Sequence, residues 1–512
     1  MNFLDKMIAA VNPKAALERE YNRYKLQQIE KIQNSGYSYH GANHYKKSTV
    51  GWIYRGGSHK EDIEDNLSVL RQRARDLYMG GSSLSTGAVK TMRTNVVGIG
   101  LKLKSTVDRE FLNISEEAAN TLERNIEREF ELWADSTNCD LQRLDTFTEL
   151  QQLAFLNWLI SGDVIATLPI TKRVNSPYDL RINLIEADRL CNPQNDLLNP
   201  LIIEGVEHNK KGEVVAYHIA KHHPLEFNTT TYEWIKVEAY GKTTGRRNVL
   251  HLMNRERIGQ CRGVPFVAPI IEDLKQLGRY TEAELMAAVI SGMYTIFIEH
   301  ENSEEGEPLG SVVDENQQVD RGDEKSLEIG NGLIMDLEPG AKAHDTNPGR
   351  PNSQFDPFIT SISRYIGAAL EIPYEILLKH FSSSYSASRG ALLEFFKAVK
   401  MYRAWLTNDF CQPVFEEWLS EAVAKGRIHA PGFFRDPAIK KAYCKAEWNG
   451  PSTGQLDPLK EVNAAEKRVQ NGFSTRARET VELTGMEYNR NIEQLKREEK
   501  QLKEVKQIGK DK

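Results

Sequence analysis

The chain has 512 residues, 40% of them hydrophobic and 27% charged. That length suits about three domains, and the composition excludes wholesale disorder. The formal net charge of −6 excludes the broad basic face of a tight, sequence-independent DNA binder, but not a surface past which DNA slides.

Residues 1–50 are polar and helix-prone and read as an arm. A helical pattern over 66–90 leads into "TMRTNVVGIGLKLKS", where Gly98 and Gly100 break it before the alternating strand "LKLKS". Residues 116–133 predict an amphipathic helix, and 146–159 another that Gly162 ends. Residues 164–260 read mostly as β, with "GVEHNKKGEVVAYHIAKHHP" a hairpin turning at 209–212. Pro269 opens a helix whose apolar stripe is Ile270, Ile271, Leu274, Leu277, Leu285 and Val289, and the strand-like "YTIFIEH" follows. Residues 301–328 hold ten carboxylates against two basic residues and predict an exposed insertion. After the strand "GLIMDLEPG", Asp356 and Pro357 predict an N-cap and first turn. Phe358, Ile359, Ile362, Ile366 and Leu370 then make one helical stripe, closed by Pro373. A long helix over 391–410 is interrupted at Pro413, which lacks an N–H and clashes with the preceding turn. The last sixty residues read as helices, ending in the charge-laced "EQLKREEKQLKEVKQ".

The five cysteines (Cys139, Cys191, Cys261, Cys411, Cys444) are scattered, with no C-x-x-C pair, so neither a zinc site nor a disulfide framework is indicated, and a reducing compartment is expected. The opening "MNFLDKMIAAV" lacks the marks of a secretory signal, and the best apolar run, 286–298, is too short and broken to span a bilayer. A soluble, intracellular chain without a membrane partner is the expectation.

The segment "HFSSSYSASRGALLEFF" puts five serines into seven positions before an apolar helix. The sequence holds no G-x-x-x-x-G-K-[ST], no H-E-x-x-H and no G-x-S-x-G. Nor does the serine run hold S-x-x-K, because Arg389 stands three positions after Ser386 and cannot act as a base. His380 is the one nearby base for a nucleophile at Ser384 or Ser386, and a dyad of neighbours in one loop is a poor catalyst, so a helix start or hinge is the preferred reading. His208, His218, His222 and His223 read as surface or strand-end residues without a carboxylate or cysteine at ligand spacing. The "RGD" at 321–323 reads as a coincidental turn. No catalytic residue, metal or other cofactor is expected.

Five stretches together resemble one family. They are "RARDLYMGGSSLSTGAVKTMRTNVVGIGLKLKS", "INLIEADRL" with "GVEHNKKGEVVAYHI", "VLHLMNRERIGQCRGVPFVAPIIEDLKQLGRYTEAELMAA", "IPYEILLKHFSSSYSASRGALLEFFKAVKMYRAWLTNDFCQPVFEEWLSEAV" and "WNGPSTGQLDPLKEVNAAEKRVQNGFST". In that order they are similar to the lambda-type portal proteins of tailed bacteriophages. The resemblance implies an α+β portal protein fold: an α/β wing, a two-helix stem, a small α/β clip, a long kinked helix and a helical crown. Its parts would be an N-terminal arm (1–50), wing (51–265), first stem helix (266–292), clip (293–352), second stem helix (353–377), tunnel loop (378–388), long kinked wing helix (389–425), and crown with C-terminal tail (426–512). The acidic 301–328 insertion is longer than the family needs.

The resemblance further implies a homo-oligomeric ring of about twelve subunits at one capsid vertex of the virion, assembled in the host cytoplasm. Double-stranded DNA would pass through its channel during genome packaging and ejection. The expected protein partners are the terminase large subunit, the major capsid or scaffold protein and a head–tail connector protein. A separate ATPase would drive the DNA, in keeping with the missing P-loop. Lys379 and His380 are expected to touch phosphate, and Ser382, Ser383, Ser384, Tyr385 and Ser386 to complete the tunnel loop, small hydroxyls leaving it free to change conformation. Two other readings stay open at this point. One is a serine hydrolase using the 382–386 loop, which a fluorophosphonate probe would label; the other is a monomeric helical adaptor.

Overall fold

The computed structural model describes residues 12–33, 46–48, 57–193, 199–226, 233–292, 296–298, 334–336, 352–381, 384–454 and 457–508. The acidic 301–328 segment, the RGD triplet, Ser382 and Ser383 lie outside them. The chain divides into two units, Met1–Asp62 and Ile63–Lys512. The first holds helix α1 (Pro13–Gln33) and the single turn α2 (His59–Asp62).

The second unit mixes helix and sheet. It begins with α3 (Leu67–Asp76), a π-turn at Leu77–Gly81 and α4 (Ser83–Val96). The single helix expected over 66–90 is therefore two, because Gly80 and Gly81 end the first and Ser82 caps the second by accepting from the Ser85 N–H. Strand β1 (Lys102–Ser105) and the turn α5 (Arg109–Leu112) lead to α6 (Glu116–Ala134), which Ser115 caps with two glutamates in its first turn. Next comes α7 (Phe147–Ser161). The Glu149 carboxylate accepts from the Thr146 N–H at 2.7 Å in a capping box, and left-handed Gly162 ends the helix as expected.

Strands β2 (Asp163–Thr167), β3 (Asn183–Glu186) and β8 (Val249–Met253) form an antiparallel sheet in the order β3-β2-β8. Between β3 and β8, β4 (Ile202–Ile203), β5 (Val206–His208), β6 (Val214–Ala220) and β7 (Trp234–Glu238) make a four-stranded antiparallel sheet in chain order. The hairpin turn is where the sequence places it. Asn209 Oδ1 accepts from the Lys211 and Glu213 N–H groups, and Gly212 takes φ +84°.

A 3₁₀ turn at Ala268–Ile270 carries Pro269 into α8 (Ile271–Gly292). Of the two expected strands beyond it, β9 (Ile296–Ile298) and β10 (Ile334–Asp336) are described, paired in parallel. Helix α9 (Phe355–Ala369) starts one residue before the expected cap. Gln354 takes the N-cap position, leaving Asp356 and Pro357 in the first turn, where a carboxylate and a missing N–H are both tolerated. The turn α10 (Tyr374–Leu377) precedes α11 (Tyr385–Leu406), a π-turn at Thr407–Cys411 and α12 (Gln412–Ala424). Pro413 thus acts one turn upstream of itself: lacking an N–H, it leaves the ladder to re-register, and the Gln412 N–H bonds the Thr407 carbonyl. After α13 (Pro437–Tyr443), strand β11 (Ala446–Asn449) returns to pair antiparallel with β1, Trp448 opposite Leu103. Helices α14 (Pro458–Gln470), α15 (Arg476–Thr484) and α16 (Tyr488–Ile508) follow.

The core is aromatic where α6, α7, α12 and β11 meet. Phe130 lies edge-on to Trp418 at 5.0 Å and to Phe147 at 5.6 Å, and Phe147 stacks on Phe410 at 5.8 Å. Such pairs add about 0.5–1.5 kcal/mol each beyond area burial. Among the described residues no helix is long and apolar enough to cross a membrane.

Candidate functional site

The segment from the end of α9 to the start of α11 carries the residues singled out in the sequence. Its path is set by backbone conformation. Glu371 and Lys379 both adopt left-handed φ, at 55° and 53°, on either side of α10. The Ile372 N–H folds back onto the Gly367 carbonyl at 2.9 Å, and a Cβ on Gly367 would meet the Ile372 carbonyl at 2.4 Å. Glycine is therefore required there. Ile376 and Leu377 are buried and anchor the turn, while the Arg364 guanidinium lies 4.8 Å over the Tyr374 ring. A 540 Å³ cleft beside it is lined by Gly367, Glu371, Tyr374, Glu394, Lys397 and Met401.

Lys379 and His380 emerge exposed from this anchor, the His380 N–H bonded to the Glu375 carbonyl at 2.9 Å. Ser384 sits in the N-cap position of α11 with extended backbone, though without a side-chain cap bond, so the serine run does start a helix, as expected. Tyr385 and Ser386 belong to the first turn of α11, so the helix begins four residues earlier than position 389. Tyr385 is also not free. Arg389 donates to its hydroxyl at 3.3 Å and to Glu461 Oε1 at 2.9 Å, and the Lys460 ammonium lies 5.4 Å over its ring. The structure thus separates the candidates: Tyr385 is tied to α14, whereas Lys379 and His380 point outward at the other end of the segment. Arg389 reaches Tyr385 from one turn along the same helix, whereas Lys460 and Glu461 carried no sequence signal because they come to this pair only across the fold.

The four histidines have separate neighbours. His218, which is buried rather than superficial, contacts Glu207 at 2.8 Å; His208 lies 3.6 Å from Cys261 Sγ; His222 faces Glu226 and His223 faces Glu186 and Asp188.

Sequence reading also missed a buried ionic knot that holds the two sheets in place. Gly162, in left-handed conformation, and Gly263 cross so closely that a Cβ on Gly263 would meet the Gly162 carbonyl at 1.8 Å. This crossing sets Asp163 beside Arg262, 2.7 Å from its Nε, with Arg71 at 2.9 Å and His251 at 3.2 Å. Arg262 also donates to the carbonyls of Ala187, Leu190 and Glu204. Burial pushes the Asp163 carboxyl up, but the charges of Arg262 and Arg71 override it and hold it far below the usual carboxylate range. Burial lowers the Arg71 guanidinium to about 10 and holds the His251 imidazole below its ordinary value, against the pull of Asp163.

The three helices around the segment are unequally covered. Ile270, Leu274 and Leu277 are buried, but Leu285 and Met286, further along α8, are 66% and 55% exposed. Tyr365 on α9 is 78% exposed and Leu393 on α11 57% exposed.

Residues 45–403 match the family described as phage portal protein, lambda family. The chain belongs to that family. It is 23% identical over 425 residues to portal protein B of Escherichia phage lambda, covering 80% of this chain and 79% of that protein. It is likewise 23% identical over 446 residues to the portal protein of Escherichia phage N15, covering 84% and 83%. Among solved structures, it is similar to a chain in the neck of a native gene transfer agent particle computed with C12 symmetry. That match is at 12% identity and a TM-score of 0.39, covering 80% of this chain and 92% of that one. The opening match at residue 45 leaves most of the N-terminal arm outside the family pattern, and the charged C-terminal helices lie beyond its end.

Proposed function

We propose that this chain is the subunit of a portal ring of about twelve copies at one capsid vertex, through which double-stranded DNA enters and leaves. Membership of the lambda portal family over residues 45–403 is the observation that carries it. The division into wing, stem, clip, tunnel loop, kinked helix and crown goes with this reading, α8 and α9 being the stem pair and α11 with α12 the kinked helix. Exposed apolar residues on α8, α9 and α11 support an assembly in which neighbouring copies cover them. The role is structural rather than catalytic, with the terminase large subunit, the capsid or scaffold protein and a head–tail connector as partners.

A channel must hold DNA on axis without gripping it. A charge of −6 repeated around a ring repels phosphate and favours sliding, while weak, repeated polar contacts guide it. Lys379 and His380, exposed and lifted by the left-handed turn at Lys379, are the phosphate contacts in this reading. Ser382, Ser383 and Ser384 supply the small hydroxyls between them and α11. Native mass measurement with negative-stain imaging tests the proposal: rings near twelve subunits with a central hole are expected. A chain that stays monomeric even with scaffold or capsid protein present ends it.

A further inference from the structure

Helix α16 meets the rest of the chain through ion pairs. Arg490 pairs with Glu131 and Glu493 lies 3.9 Å from Arg124, while Glu487, just before the helix, lies 3.8 Å from Lys104, which also binds Glu127 at 3.1 Å. Beneath the helix run two polar clefts. One of 640 Å³ lies among Lys104, Glu447, Arg478, Glu482 and Glu487; one of 390 Å³ lies among Glu123, Arg124, Glu127, Arg490 and Glu493. Apolar support is slight. Tyr488 and Ile492 are half-buried, while Leu495 and Leu502 on the same helical stripe are 51% and 59% exposed. By contrast α14 and α15 are clamped to each other by the two-pronged Arg468–Glu479 bond, with Glu479 buried. Gly485, in left-handed conformation at φ +72°, joins α15 to α16 and supplies a pivot.

We propose that α16 is a strap, closed on α6 by charge rather than by apolar packing, and released when those charges are screened. Release uncovers the carboxylates Glu123, Glu127 and Glu131 of α6 and frees a helix carrying six basic and four acidic residues. The Arg490–Glu131 and Arg124–Glu493 pairs, half-exposed beside a water-accessible cleft, weaken with salt, whereas the aromatic core does not. This inference is independent of the ring reading.

Hydrogen exchange on the full chain tests it. Salt would be raised from about 0.1 M to about 1 M, which shortens the screening length from about 10 Å to about 3 Å. Exchange across 488–503 should speed up about tenfold or more, with α11 amides unchanged as the internal control. Glu131→Arg should open the strap at low salt, and Glu131→Arg combined with Arg490→Glu should close it again, since both positions are half-exposed and the swap restores one pair. Protection that is independent of salt, a strap already open at low salt, or a double variant no better protected than Glu131→Arg would each overturn the proposal.

Discussion

Tyr385 shows how a residue's surroundings decide its role. In sequence it is one of several polar residues in a serine-rich loop; in the fold its ring and hydroxyl are held by Lys460 and Arg389. Asp163 is the stronger case. A lone Asp at the start of a strand carries no sequence signal, yet it is fully buried against two guanidiniums and an imidazole. Asp163→Ala leaves Arg71 and Arg262 buried without their partner and should cost about 3–5 kcal/mol in urea unfolding. His251 adds a pH dependence with a definite sign. Its folded value is depressed, so the unfolded chain takes the proton first. Its contribution is complete above about pH 6.5 and is lost as pH falls toward the folded value. Thermal unfolding temperature should therefore drop below about pH 6.5, and His251→Gln should flatten that slope.

At the scale of elements, periodicity located helices well and their surroundings poorly. The stripe on α8 is continuous in sequence, but only its first half is buried; Leu285 stands exposed although it shares the face of Leu274 and Leu277. A 3.6-residue period says which residues share a face, not whether anything covers that face. Two substitutions separate the cases. Ile366→Asp puts a charge where the side chain is 1% exposed and should lower monomer stability by several kcal/mol, on the order of a broken buried pair. Leu285→Asp should leave the monomer's unfolding temperature nearly unchanged while reducing ring yield by native mass measurement. Rings of normal yield from Leu285→Asp would mean that neighbouring copies do not cover this face. The interrupted helix was readable from Pro413, but its form was not, because a π-turn at Thr407–Cys411 depends on which carbonyl the freed ladder selects.

For the whole molecule, the proposed channel makes its own demand. Lys379→Ala combined with His380→Ala should leave rings intact and reduce DNA packaged or retained per particle, measured by genome content. Unchanged content would remove these two residues from the channel. A deletion that tests the loop alone stops short of Tyr385, since Tyr385 and Ser386 form the first turn of α11 and their loss would disturb the helix as well as the loop.

The sequence by itself determined the family, the hairpin turning at Asn209–Gly212, the helix end at Gly162 and the break near Pro413, because each rests on neighbours within a few residues or on blocks that keep their order along the chain. Only the tertiary structure decided the rest. Strand β11 is too short and polar to announce itself, and exists because β1, more than three hundred residues earlier, offers a free edge. The Asp163 knot exists because two glycines let distant backbones touch, and the seat of α16 exists because charges far apart in the chain converge. The serine-rich segment belongs to both accounts. Its composition marked a break between helices, but burial of Ile376 and Leu377 and capture of Tyr385 by α14 decided which of its side chains face outward.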